Sequence, residues 1–106
     1  MKHTAGEDQN QYVRMASKIS NNDLDFLCML DGENGEWKPD RKANGNEDAW
    51  GFCMFNRRWH SDIVDDERFF TDPEWQMQQC YNAYKNGVKF YGKQHCWKTK
   101  SNFTCP

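Results

Sequence analysis

Long apolar runs are absent from this chain, and their absence removes a class of protein at once. No stretch approaches the length needed to cross a bilayer, and residues 1–10 are too polar to form the core of a signal peptide. Either the protein stays inside the cell, or its leader is not part of this sequence. A surplus of positive charge is also missing. Fourteen Lys and Arg stand against 16 Asp and Glu, so no broad cationic surface recruits nucleic acid or anionic lipid. There is no glycine-rich phosphate loop, no paired Cys-x-x-Cys spacing for zinc and no Gly-x-Ser-x-Gly elbow. The acidic run from Asp62 to Glu67 lacks the spaced oxygens and turn glycine of a calcium loop and reads as a solvated turn. No metal and no cofactor is expected.

What is present is dense in cysteine and tryptophan. A chain of 106 residues makes one domain with a single core. Five cysteines and five tryptophans in that length lean toward an extracytoplasmic protein, in which bridges supplement a small core. The cysteine count is odd, so at least one thiol is left over. Cys96 and Cys105 can close a loop in the polar tail at 93–106, whereas Cys28, Cys53 and Cys80 sit on apolar segments as bridges or as buried thiols.

Glu33 is the residue on which a chemical reading turns. Asn22 or Ser20 caps a helix whose first turn holds Asp23 and Asp25, where the positive dipole end favours acids. Phe26 to Leu30 are apolar around most of the circumference, the pattern of a central helix enclosed by protein. Gly32 and Gly35 supply the left-handed backbone that ends it, with Glu33 in or just past the last turn on the Phe26, Met29, Leu30 face. Loss of water and the negative helix end both favour a protonated carboxyl, the form a general acid must take. Glu36, past Gly35, is the solvated neighbour.

Around this helix the chain supplies packing. Tyr12, Met15, Ala16 and Ile19 form one stripe of an amphipathic helix over 7–19 that covers the central one. The stretch from Trp37 to Ala49 is rich in turn residues, with Asn44-Gly45 the tight-turn signal, and predicts a short hairpin or irregular lobe. Phe52, Phe55, Asn56, Trp59 and Ile63 make the next helical stripe, with Asn56 bonding either sugar or backbone and His60 a surface or hydrogen-bonded residue. Asp72-Pro73 starts a helix that Gly87 stops, with Met77, Cys80, Tyr81, Tyr84 and Val88 on its buried stripe.

Three blocks, in this order, resemble the lysozyme-like proteins. Glu33-Asn34-Gly35-Glu36-Trp37-Lys38-Pro39-Asp40 is similar to the segment after their catalytic helix, and Trp50-Gly51-Phe52-Cys53-Met54-Phe55-Asn56-Arg57-Arg58-Trp59 to their aromatic-Gly-apolar-x-Gln-apolar-Asn run. Asp72-Pro73-Glu74-Trp75 with Gln79-Cys80 and the segment 81–87 resembles the later helix of lytic transglycosylase and goose-type members, so that the likeness spans about residues 23–92. Two positions depart from the family: Met54 stands where it carries glutamine, and Ala49 where animal lysozymes carry a second acid, with Asp48 one residue earlier. A one-residue shift on extended chain turns a side chain to the other face.

The resemblance implies a mainly α, lysozyme-like fold with a central buried helix and a small hairpin or loop lobe. It implies cleavage of β-1,4 glycosidic bonds in peptidoglycan with Glu33 as general acid, and a monomer whose partners are glycan strands. Trp37 or Trp50 would stack on a pyranose face, with Trp50 favoured for the core and Trp37 open. Asp48, Asn56, Tyr84 and Tyr91 are the remaining candidates for substrate contact. Met54 and Ala49 favour the alternative of a catalytically impaired module that binds glycan or protein. A small bridged structural protein in which Glu33 is incidental is the third class.

Overall fold

The computed structural model describes residues 11–90. Helix α1 (Gln11–Ser20), helix α2 (Leu24–Glu33), strands β1 (Ala49–Trp50) and β2 (Phe55–Asn56), helix α3 (Arg57–Val64), the single turn α4 (Arg68–Thr71) and helix α5 (Pro73–Lys85) follow in that order. The described residues are thus mainly helical with a two-stranded antiparallel sheet, Ala49 opposite Asn56 and Trp50 opposite Phe55.

Helix α2 is the apolar element the sequence predicts. Phe26 to Leu30 are all buried at 1% exposure or less, so this helix has no solvent face along that turn and a half. Its start differs from expectation. Asp23 is the cap, its carboxylate accepting from the Phe26 amide at 3.1 Å, because Asn21 and Asn22 are left-handed (φ 56° and 62°) and belong to the end of α1, where the Asn22 amide bonds Ser17 O at 2.7 Å. The end differs too. Gly32 lies within the helix and neither it nor Gly35 is left-handed. Asn34 breaks the helix instead, at φ −144°, ψ 80°.

Asn34 is 1% exposed and its side chain joins three segments. Its Nδ2 donates to Lys38 O at 2.7 Å and to Gly51 O at 3.1 Å, while its Oδ1 accepts from the Lys38 amide at 3.3 Å. A buried amide satisfied on both ends locks the end of α2 to the loop behind it and to the hairpin.

The hairpin is seated on α5 in a similar way. Helix α5 begins as expected, Asp72 capping the Trp75 amide at 3.1 Å with Pro73 in the first turn, and is followed by left-handed Gly87 (φ 84°). Its buried positions are Gln76, Met77, Cys80 and Ala83. Gln76 is fully buried; its Oε1 accepts from the Phe52 amide at 2.7 Å, and its Nε2 donates to Pro39 O and Phe69 O, both at 2.9 Å. One turn further on, Cys80 forms a disulfide with Cys53. Of the two cysteine readings left open for this pair, the bridge holds.

Helix α1 lies against both α2 and α5. Its inward face is Val13, Ala16, Ser17 and Ser20, with Tyr12, Met15 and Ile19 half-buried beside it. The buried stripe is therefore rotated from the one counted on apolar residues, since two serines replace two of them. Ser20 Oγ bonds Ala16 O at 2.8 Å, which satisfies its hydroxyl within the helix.

Candidate functional site

A cleft of about 360 Å³ opens between the end of α2 and the hairpin lobe. Glu33, Glu47, Asn56, His60 and Lys89 line it with polar groups, and Ala49, Cys53, Met54, Phe55, Trp59, Val88 and Phe90 with apolar ones. It has the usual make-up of a ligand site, an apolar wall with a few convergent polar groups.

Glu33 reaches the cleft because it is the last residue of α2. The helix it ends is pinned at that point by Asn34. Glu36, by contrast, is turned to solvent and pairs with Lys38, 3.1 Å away and equally exposed.

The lobe wall is built by a loop clamped at its base. Lys42 and Trp50 form a bridge, the Ala43 amide bonds Ala49 O at 2.9 Å, and the Gly51 amide bonds Arg41 O at 2.8 Å. The chain then turns back through Gly51 to Met54, with the Met54 amide on Gly51 O at 3.2 Å. Met54 is left-handed (φ 52°), a conformation that costs a side-chain-bearing residue about 1–2 kcal/mol. The bonds of Gln76 and the Cys53–Cys80 bridge hold this turn in place.

Alternation along the extended segment decides which acid faces the cleft. Asp48 and Trp50 share one face, and the Asp48 carboxylate accepts from Trp50 Nε1 and lies 3.5 Å from Arg57 Nη1. Glu47 and Ala49 share the other face, and both line the cleft. Asp48, expected as a substrate contact, is thus occupied elsewhere. Glu47 was not singled out from the sequence; period-two alternation from Trp50 was the signal for it.

The other expected contacts divide. Asn56 does line the cleft, and its Oδ1 also caps α3 by accepting from the Arg58 amide at 2.9 Å, so it fills the backbone role of the two considered. Trp37 is a correction: it is 5% exposed and donates from Nε1 to Asp31 at 2.7 Å, so its ring is core and has no free face for a sugar. Trp50, expected in the core, is half-buried, with Lys42 and Arg57 at 5.8 and 5.9 Å from its ring. Tyr84 is also corrected. It packs on Phe26 at 5.2 Å and stacks with Tyr81 at 6.4 Å, and it is not among the residues lining the cleft. Tyr91, His95, Cys96, Trp97 and Cys105 lie outside the described residues.

Two further cleft residues lie on α3, Trp59, which the helical count placed on its stripe, and His60, read as a surface or hydrogen-bonded residue. Trp59 is 70% exposed rather than part of a buried stripe, with the Arg58 guanidinium 5.0 Å from its ring. His60 departs from helical geometry inside α3 (φ −134°, ψ 39°), and its ring lies 5.1 Å from that of Phe55. The helical stripe expected from Phe52 fails because residues 51–54 form a turn and Phe55–Asn56 form β2, so that the helix begins only at Arg57, and the break at His60 interrupts it again. Among the described residues no group of three or more His, Cys, Asp or Glu side chains is arranged to hold a metal ion. Comparison of the chain with protein-family models, with curated proteins and with solved structures found no match.

Proposed function

We propose that this protein has a lysozyme-like fold and cleaves the β-1,4 glycosidic bonds of peptidoglycan, with Glu33 as the general acid. The observation that carries the reading is the position of Glu33, at the end of the most apolar helix and on the wall of a cleft whose other side is a polar lobe. Cleavage of a glycosidic bond requires a proton on the leaving oxygen as positive charge develops on the sugar ring. A carboxyl on a cleft wall that also carries Phe55 and Phe90 is suited to give it. The exposed Trp59 supplies a flat aromatic face for a sugar on the same cleft. A glycan strand of the wall is the partner, and the protein acts on it as a monomer outside the cytoplasm. The Cys53–Cys80 bridge supports that compartment.

A second reading, a module that holds glycan or a protein partner without cutting it, is favoured by the side chains of Met54 and Ala49 on the cleft wall. Met54 puts a thioether where the resembled family has an amide that orients sugar or water.

Mass spectrometry of soluble fragments from purified peptidoglycan, treated with wild type and with Glu33→Gln, tests both. A positioned acid is worth about 100- to 10,000-fold in rate, so the variant should lose at least the lower figure while keeping its melting temperature. Equal release by the two proteins would remove Glu33 from the mechanism. Pelleting of both with the glycan, without release by either, would establish the binding module.

A further inference from the structure

We infer that Glu47 is the second catalytic carboxylate of this cleft, taking the proton of a water that attacks the sugar, so that the product is a hydrolysed, reducing-ended glycan. The inference rests on the reading of Glu33 as general acid, and deepens it by choosing between attack by water and ring closure by the substrate itself.

Three observations carry it. Glu33 comes to the cleft from a helix and Glu47 from the lobe, so a strand bound in the cleft meets a carboxylate from each. The backbone that carries Glu47 is held there: Lys42 Nζ donates to the main-chain oxygens of Glu47 at 3.1 Å and Gly45 at 3.4 Å, and the Ala43 to Ala49 bond closes the loop beneath it. Its carboxylate makes no ion pair or hydrogen bond with any described residue, whereas neighbouring acids are engaged, Asp48 with Trp50 and Arg57, Asp65 with Arg57 at 3.0 Å. A carboxylate carried on a fixed stretch of backbone, with its lone pairs unused, is able to accept a proton from water.

The step balances on these two groups. The bond from the anomeric carbon to the leaving oxygen breaks, its electron pair stays on that oxygen, and the proton of Glu33 joins it. The water oxygen bonds the anomeric carbon and its proton passes to Glu47. Glu33 ends ionised and Glu47 protonated, and one proton exchanged with solvent restores both. A single displacement by water inverts the anomeric configuration.

The test uses the full chain on purified peptidoglycan, comparing wild type, Glu33→Gln, Glu47→Gln and Glu47→Ala, with fragments read by mass spectrometry. Glu47 is exposed on a loop, so the variants should keep the wild-type melting temperature. Expected are reducing-ended fragments from wild type and a loss of about 100- to 10,000-fold in Glu47→Gln. Sodium azide should revive Glu47→Ala and yield a glycosyl azide, because azide attacks without needing a base; a structural role would not be rescued. Anhydro-ended fragments from wild type, or a Glu47→Gln variant as fast as wild type, would overturn the role of Glu47 and leave Glu33 standing. No release by wild type, or full release by Glu33→Gln, would bring down the general-acid reading and this inference with it.

Discussion

Replacing Gln76 by methionine isolates what one buried amide contributes to the cleft. The two side chains are close in length and volume, so little cavity forms and the change is in hydrogen bonding. Three bonds are lost: the Phe52 amide at 2.7 Å, and the Phe69 and Pro39 carbonyls at 2.9 Å. The Phe52 amide and the Phe69 carbonyl belong to buried residues, and Pro39 is half-buried. A buried polar group left without a partner costs about 1–3 kcal/mol; the carbonyl of half-buried Pro39 is weighted lower, and the sum is about 3–5 kcal/mol. At about 4–8 °C per kcal/mol for a domain near this size, the melting temperature should fall by at least about 12 °C. Urea denaturation under non-reducing conditions measures it, with the midpoint moving and the slope unchanged. A Gln76→Met protein within about 1 kcal/mol of wild type would refute the claim that this amide seats the hairpin. Gln76→Glu sharpens the test: its carboxylate can accept from Phe52 but donates to neither carbonyl, and its charge is buried, so its stability should recover in part as the pH is lowered.

Cys53 and Cys80 are 27 residues apart, and closing a loop of that size in the unfolded chain corresponds to about 3.5 kcal/mol on a chain-entropy account. The double Cys→Ser variant should lose about that much in urea unfolding, and a loss under about 1 kcal/mol would show that the Gln76 bonds alone hold the turn. Gly51→Ala should be the more damaging change, because a Cβ there would stand 2.3 Å from Gln76 Oε1 and 2.7 Å from Phe69 Cζ on a residue at φ 84°; a melting temperature near wild type would contradict the packing described. Asp66 is held down to about 2, first by its side-chain hydrogen bond with Arg68 and then by the Arg68 backbone amide. Its folded form is thus the stronger acid, so its contribution is complete above the ordinary carboxylate range and is lost as the pH falls through about 2. Carboxyl chemical shifts followed by NMR should give a midpoint near that value in wild type and a higher one in Arg68→Ala, still below the ordinary carboxylate range because the residue 68 amide continues to donate to Asp66.

Where local chemistry decided the structure, the sequence was enough. The Asp72-Pro73 start and the Gly87 turn of α5, the enclosed Phe26 to Leu30 segment and the clamped loop around Asn44-Gly45 are each set by the side chains and backbone preferences of a few adjacent residues. Glu33 at the end of α2 follows from the same local rules, although the residue that ends the helix is Asn34 and not a glycine. Asn34 reads as a polar loop residue in isolation; its value lies in reaching Lys38 and Gly51, and Gly51 is 17 positions away.

Other features depend on partners that no local pattern names. Gln76 is a polar residue on a helix whose apolar stripe passes beside it, and only the carbonyls of Pro39 and Phe69 and the amide of Phe52 explain its burial. The tryptophans were decided for the same reason, Trp37 having been open and Trp50 expected in the core. Trp37 found Asp31 and the core, while Trp50 is half-buried between Phe70 and the cations of Lys42 and Arg57. The choice of Glu47 over Asp48 at the cleft required the strand register, which antiparallel pairing with Phe55 and Asn56 supplies. By itself the sequence determined the enclosed apolar helix, the start and stop of α5 and the acid at the end of α2, because propensity and burial act over a few residues. Tertiary structure alone decided which groups share the cleft with that acid, because a side chain's partner is set by the packing of segments far apart in the chain.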